Sequence, residues 1–398
     1  VAIHTDPFPE NSTIRRQLSE WFFDPVNEVA ATVPRVYSQI HDGSLVKVRS
    51  EVTDQAVYYL FLNQRDFIYP VAGRGSVIVK RDRREGTFIQ MKVFLDDGAD
   101  SFLRIFPFQE RTSLEVYLQG KRISSAVPLP LSFHQVLTIS VSELRELTGN
   151  RIPWSLFDPL PQRPQDRDLE TLVRRIRQEL GRLVHGEDGA MDGDGRYVYI
   201  ETLSRQENAG GLNCSGFAKW VIDGFAVPLL GRPLSVEPLK EKHLSSRGNS
   251  LSLRYEDSRD PFFGLDWTRN LAAALARLRG TGSSGVEAHD VRGVPYFSYV
   301  EDVGYPVKDL APLLYLLNRE SPGYFYLASI NQPFGTDPPI RQHTHVALLF
   351  PYLDGEGRLQ TAVFETTEET SLESLNRRYP DDFAHLVRIP VGGSFFLP

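Results

Sequence analysis

The chain has 398 residues, of which 41% are hydrophobic, 24% charged and 11% aromatic. This excludes a disordered, collagen-like or disulfide-scaffold protein and allows about two or three domains. Its 44 Lys and Arg against 51 Asp and Glu give a formal charge of -7, so the basic footprint of a dedicated nucleic-acid binder is missing.

No window approaches the roughly 18 uninterrupted apolar residues of a membrane-spanning helix. The single cysteine, Cys214, excludes an intramolecular disulfide and a cysteine-rich zinc site. The sequence opens at Val1 without an initiator Met. The expectation is that an export signal has been removed and that the protein resides in the cell envelope, the periplasm or outside the cell.

Asn11-Ser12-Thr13, followed by Ile14, Leu18, Trp21 and Phe22, predicts a capped helix within an amino-terminal segment over 1–35. Over 36–150 the period changes to two, as in Ile89, Met91, Val93 and Leu95 and again in Leu114, Val116 and Leu118. Turn signals at Asp96-Asp97-Gly98 and Gln119-Gly120 separate such runs. Short, evenly spaced strands of this kind predict an all-β domain, an antiparallel sandwich or barrel. Pro153, Pro159, Pro161 and Pro164 then mark a linker over 151–168. Beyond it, Leu169, Leu172, Val173, Ile176, Leu180, Leu183 and Val184 recur at three- and four-residue steps, predicting an amphipathic helix that opens a second domain over 169–398.

The run Asn208-Ala209-Gly210-Gly211-Leu212-Asn213-Cys214-Ser215-Gly216-Phe217 leads into Ala218, Lys219, Trp220, Val221 and Ile222. The cysteine therefore sits where a glycine-rich turn becomes a helix. There the macrodipole and the unpaired N–H groups lower a thiol pKa and favour the nucleophilic thiolate, whereas the bland fate of a free cysteine is that of a small buried hydrophobe. Asp192-Gly193-Asp194-Gly195 with Glu201 mimics part of a calcium loop, but Ala190 stands at the first ligand position, so a simple turn is expected. Gly280-Thr281-Gly282-Ser283-Ser284-Gly285 lacks the Lys-Ser/Thr ending of a phosphate loop and a strand before it, and is expected as a mobile loop.

The pentapeptide Asn213-Cys214-Ser215-Gly216-Phe217 resembles the Asp-Cys-Ser-Gly-Phe signature of the NlpC-type cell-wall cysteine peptidases, a branch of the papain-like fold, with Asn in place of the first Asp. The resemblance covers roughly 169–222 and 340–398. It implies an α+β catalytic domain in which the cysteine opens a helix, a histidine follows on a strand of an antiparallel sheet, and a third polar residue on the next strand orients that histidine. His343-Thr344-His345-Val346-Ala347-Leu348-Leu349-Phe350 looks like the histidine strand, with His345 the better match. After the turn Asp354-Gly355-Glu356-Gly357, a run from Thr361 returns to Glu365, expected beside His345 as the third residue, with His385 as a substitute.

By the same resemblance Tyr199, or Tyr197, shapes the oxyanion site. Arg341, His343 and Ser215 are expected to line the substrate cleft, Arg341 as the cation for a substrate carboxylate. The 131 residues between Cys214 and His345 (345 − 214) imply a large insertion over about 225–340, expected as a lid. The implied activity is hydrolysis of peptidoglycan stem peptides, commonly between D-glutamate and a diamino acid, with wall peptides as partners, an SH3-like barrel or immunoglobulin-like sandwich as the accessory domain, and no metal or cofactor. Two other readings stay open: another papain-like acyl transferase or amidase, and a catalytically inactive envelope-binding protein.

Overall fold

A computed structural model describes residues 8–40, 42–207, 210–244, 259–282, 285–335 and 339–398. The chain divides into two units, Val1–Pro159 and Leu160–Pro398, with the division inside the proline-spaced stretch.

In the first unit the period-two runs form one antiparallel sheet. Its strands are β1 (Arg35–Ser38), β2 (Leu45–Val52), β3 (Ala56–Asn63), β4 (Val77–Asp82), β5 (Phe88–Phe94), β6 (Phe102–Phe108), β7 (Arg111–Leu118), β8 (Lys121–Arg122) and β9 (Val127–Leu129). They lie in chain order from β1 to β8, with β9 also on β7. Gln119 and Gly120 both take positive φ in a two-residue hairpin loop, the backbone twist that such loops require. One face buries Tyr59, Phe61, Val77, Val79, Met91, Val93, Leu103, Ile105, Leu114 and Val116.

Three expectations change at this point. A single sheet in next-neighbour order is neither a two-sheet immunoglobulin-like sandwich nor a closed barrel, since no described pairing joins β1 to the far edge. The amino-terminal segment is part of this unit rather than separate from it. Its helices α1 (Ser12–Gln17) and α2 (Val26–Ala30) flank Phe22, whose ring lies 5.3 Å from Tyr59 and 5.7 Å from Phe61. The all-β reading of 36–150 also omits α3 (Phe133–Val136) and α4 (Val141–Thr148), both opened by Ser capping boxes. The linker reading fails at both ends: Trp154, Leu156 and Phe157 are buried, and a helix already begins at Pro164.

The second unit is α+β. Its helices are α5 (Pro164–Glu179), α6 (Cys214–Leu230), α7 (Phe263–Leu278), α8 (Leu310–Glu320) and α9 (Leu372–Arg378). A short hairpin of β10 (Ala190–Met191) and β11 (Tyr197–Val198) turns through Asp192-Gly193-Asp194-Gly195. The main sheet consists of β12 (Tyr305–Pro306), β13 (Tyr324–Phe334), β14 (Ile340–Leu353), β15 (Leu359–Glu365), β16 (Glu368–Thr370) and β17 (Phe383–Pro390), antiparallel in the order β12-β17-β13-β14-β15-β16. Phe325 and Leu327, Val346, Leu348 and Phe350, and Val387 and Ile389 pack against α5, α6 and α7.

The described parts of 225–340, expected as an inserted lid, supply α7, α8 and the central strand β13, and these elements belong to the core. Ser283 and Ser284 of its glycine-rich loop lie outside the described residues. The amphipathic helix stops earlier than its apolar spacing predicts: Leu180–Arg182 tightens into a 3₁₀ turn and Val184 is exposed.

Asp166 ties α5 to this sheet. Its fully buried carboxylate accepts from the Arg163 amide and guanidinium, from Asn318 Nδ2 on α8 and from the Leu353 amide at the end of β14. Burial opposes its charge, but these donors outweigh it and hold the pKa below the usual carboxylate value. The sign follows: stability from Asp166 is present above the ordinary carboxylate pKa and lost as pH falls through the depressed one. Asp166→Ala strands Arg163 and Asn318 and is expected to lower unfolding stability by about 3 kcal/mol or more, as read by urea denaturation of the full chain. A change within about 0.5 kcal/mol, typical of surface sites, contradicts this role.

Candidate active site

Helix α6 is apolar nearly all round, and residues 215–226 are buried, which marks it as a helix enclosed by the core rather than one lying on the surface. Its start is fixed by Asn213, whose extended backbone and side-chain oxygen cap the helix by accepting from the Gly216 amide at 2.8 Å. Gly216 cannot be larger: a Cβ there would lie 1.8 Å from the carbonyl oxygen of Gly189. From the other side, the Trp267 indole N–H of α7 donates to the Ser215 carbonyl at 2.9 Å. The Ser-Gly part of the motif is thus a packing requirement that sets where the first helical residue, Cys214, is held. Asn208 and Ala209 of the motif lie outside the described residues.

Cys214, an intermediately exposed residue, has His345 and the Val346 amide of β14 as the neighbours that act on its thiol. Pairing between β14 and β15 ends at Ala347 opposite Glu365, so one residue further on the β14 edge is open to the helix start. The other imidazole nitrogen, Nε2, lies 2.8 Å from Glu365 Oε2, which leaves Nδ1 for the sulfur. Glu365 Oε1 in turn accepts from Thr370 and Arg378. Tyr379, next to Arg378, stacks on His345 with ring centroids 6.2 Å apart and an interplanar angle of 26°.

The charges alternate along this chain. Burial pushes the Cys214 thiol up, but the His345 partner, the Val346 amide and Ser215 outweigh it and leave the thiol below its ordinary value. Burial also lowers His345, yet Cys214 and Glu365 raise it to about 9. Glu365 is opposed by burial but held down to about 2 by His345, Thr370 and Arg378. Each group in the chain thus favours the charged form of the next.

Sequence reading brings Cys214, His345 and Glu365 to one place, and the structure has His345 bonded to Glu365 and acting on Cys214; Ser215 neighbours the same thiol, and the other candidates are arranged differently from the expectation. His343 is expected from strand alternation on the same face as His345. Instead, Ile330 opposes His345 while Asn331 opposes His343, so Thr344 is an extra, bulged residue and the two histidines face opposite sides of the sheet. His343 is buried between Ser329 Oγ (3.0 Å) and the Asp302 carbonyl (2.8 Å). Burial and His385 lower its pKa to about 3.

His385 is buried beside Asp290 (3.4 Å) and Tyr299 (3.1 Å); Glu365, not His385, meets His345. Ser215 is 3% exposed and lies behind the sulfur instead of lining a cleft. Arg341 is partly exposed and meets Asp382 at 3.4 Å, so its charge is partly countered. Tyr199 is 41% exposed. It is Tyr197 that packs on Gly210 in the turn leading to Cys214.

Sequence reading does not find Thr370, Arg378 and Tyr379. They follow Glu365 within fourteen residues, on a reversal through β16 and α9 that only the pairing of Glu365 with Glu368 makes visible. The Asp192 carboxylate accepts from the Val236 amide as part of a turn. Among the described residues no three His, Cys, Asp or Glu side chains converge as metal ligands, and no helix is long and apolar enough to cross a membrane.

Residues 4–156 match a family described as a domain of unknown function, DUF8515. The match lies within the first unit and excludes Cys214, His345 and Glu365. No curated protein and no solved structure matches the chain.

His345 raised to about 9 is charged at neutral pH, and the stability this pairing adds is lost as pH rises through that value. NMR of histidine-labelled protein is expected to place its titration near 9, and Glu365→Gln and Cys214→Ala are each expected to lower it. A wild-type His345 titrating in the ordinary imidazole range contradicts the alternation of charge from Cys214 to Arg378.

Proposed function

We infer that the chain is a papain-like cysteine hydrolase of amide bonds, of the NlpC type, acting on peptidoglycan stem peptides in the cell envelope. One observation carries the reading: a cysteine at the first residue of a helix has its thiol acted on by an imidazole on one strand, which is bonded to a carboxylate on the next. This is the order of elements that the Cys-Ser-Gly-Phe resemblance implies. A buried structural cysteine has no use for such a chain.

In the proposed reaction the Cys214 thiolate attacks the amide carbonyl carbon, forming a C–S bond, and the carbonyl electrons move onto oxygen. The first-turn amide of α6, which has no partner within the helix, is the oxyanion donor. The His345 imidazolium gives its proton to the leaving amine as the C–N bond breaks. His345 then takes a proton from water, whose oxygen attacks the thioester and releases the acid and the thiolate. Glu365 keeps the imidazole oriented and stabilises its cation, and Arg378 and Thr370 keep Glu365 ionised. No metal or cofactor enters. Arg341 is the cation proposed for a stem-peptide carboxylate.

Incubation with purified muropeptides and mass analysis of the products tests this. Wild type is expected to cut between D-glutamate and the diamino acid, Cys214→Ala to be inactive, and Glu365→Gln to be slower by about 10²- to 10⁴-fold. Release of the whole peptide from the sugar moves the assignment to an amidase, and unchanged cleavage by Cys214→Ala rules out the mechanism.

A further inference from the structure

The face of the first sheet opposite its core carries positive charge that its neighbours do not balance. Cross-strand pairing puts Tyr58, Lys80 and Gln90 in one row and Leu60, Ile78 and Lys92 in the next. Together with Phe94 they line a cavity of about 380 Å³, within the size range of small-molecule sites.

Its floor is apolar, and its charged lining groups are Lys80, Lys92 and Glu51. The Lys92 ammonium lies 3.8 Å from the Phe102 ring centroid and that of Lys80 lies 5.6 Å from Tyr58. Among the described residues neither forms an ion pair. Of the nearby charges, Arg104 meets Glu115 at 3.1 Å and Glu51, which also lines the cavity, pairs with Arg49, while Asp100 attracts Lys92 without forming an ion pair with it.

Lysines on edge strands guard against aggregation, but β4 and β5 have neighbours on both sides, so that role does not explain them. Burial and the charges of Arg104 and Lys80 push the Lys92 ammonium below its ordinary pKa, outweighing the opposing pull of Asp100. The Gln90 oxygen accepts from Arg104 at 2.9 Å, which leaves its NH₂ group, with the Tyr58 hydroxyl, as neutral donors.

We propose that this cavity binds a small organic oxyanion, an apolar body bearing one carboxylate or phosphate, with the acid group between Lys80 and Lys92 and the body on Leu60, Ile78 and Phe94. The proposal is independent of the reaction assigned to Cys214, because every residue it uses lies in the first unit.

Isothermal titration calorimetry of the full chain with phenylphosphate, benzoate, inorganic phosphate and benzyl alcohol tests it. At least one of the two aromatic acids is expected to bind once per chain, more weakly at high salt, and equally after alkylation of Cys214. Comparing phenylphosphate with benzoate identifies the acid group. A Lys80→Gln/Lys92→Gln variant, with an unchanged melting profile, is expected to bind about tenfold more weakly or worse, whereas Lys308→Gln, in the second unit, is expected to bind as wild type. The proposal fails if neither aromatic acid binds, if benzyl alcohol or inorganic phosphate binds as well as the aromatic acids, or if the double variant is unaffected.

Discussion

A sulfur held between the imidazole of His345 and the amide of Val346 is the contact on which the rest of the site depends. Two packing constraints make it. Gly216 must be bare so that the first turn of α6 can press onto the Gly189 carbonyl, and β15 must stop pairing at Ala347 so that the β14 edge is free to meet the helix start. Trp267 clamps the same turn from α7. The position of Cys214 is therefore a consequence of close packing between a buried helix and a sheet edge.

The electrostatics follow from that position. Thiol, imidazole, carboxylate and guanidinium succeed one another from Cys214 to Arg378, and each favours the charged form of its neighbour. Burial alone would drive the thiol and carboxyl up and the imidazole down. It is the ordered partners that reverse all three. The stacked ring of Tyr379 covers one face of the imidazole, limiting solvent screening of its charge.

Where one local rule governs the outcome, the sequence is informative. A cap residue, a glycine and an apolar run mark the start of α6; the hairpin before Glu365 marks β14 and β15, and period two marks the first sheet. What escapes are features set by non-local pairing. One bulged residue, Thr344, moves His343 from the cleft into a buried polar cluster, and strand periodicity cannot reveal it. Arg378 and Tyr379 reach the site only because β16 and α9 reverse the chain. Residues 225–340 look like an addition because they separate Cys214 from His345, yet antiparallel order puts β13 between β14 and β17. Capping boxes at Ser132 and Ser140 are present in the sequence, but the surrounding strands dominate the pattern and hide the short helices they open.

The most direct measurement of the central claim is the ultraviolet thiolate absorbance of the full chain as a function of pH, with Cys214→Ser as the blank. The account predicts that the absorbance is already present at neutral pH and disappears only on acidification. Absorbance that emerges only as the pH climbs through the ordinary thiol range would show a protonated, unpaired sulfur and contradict it.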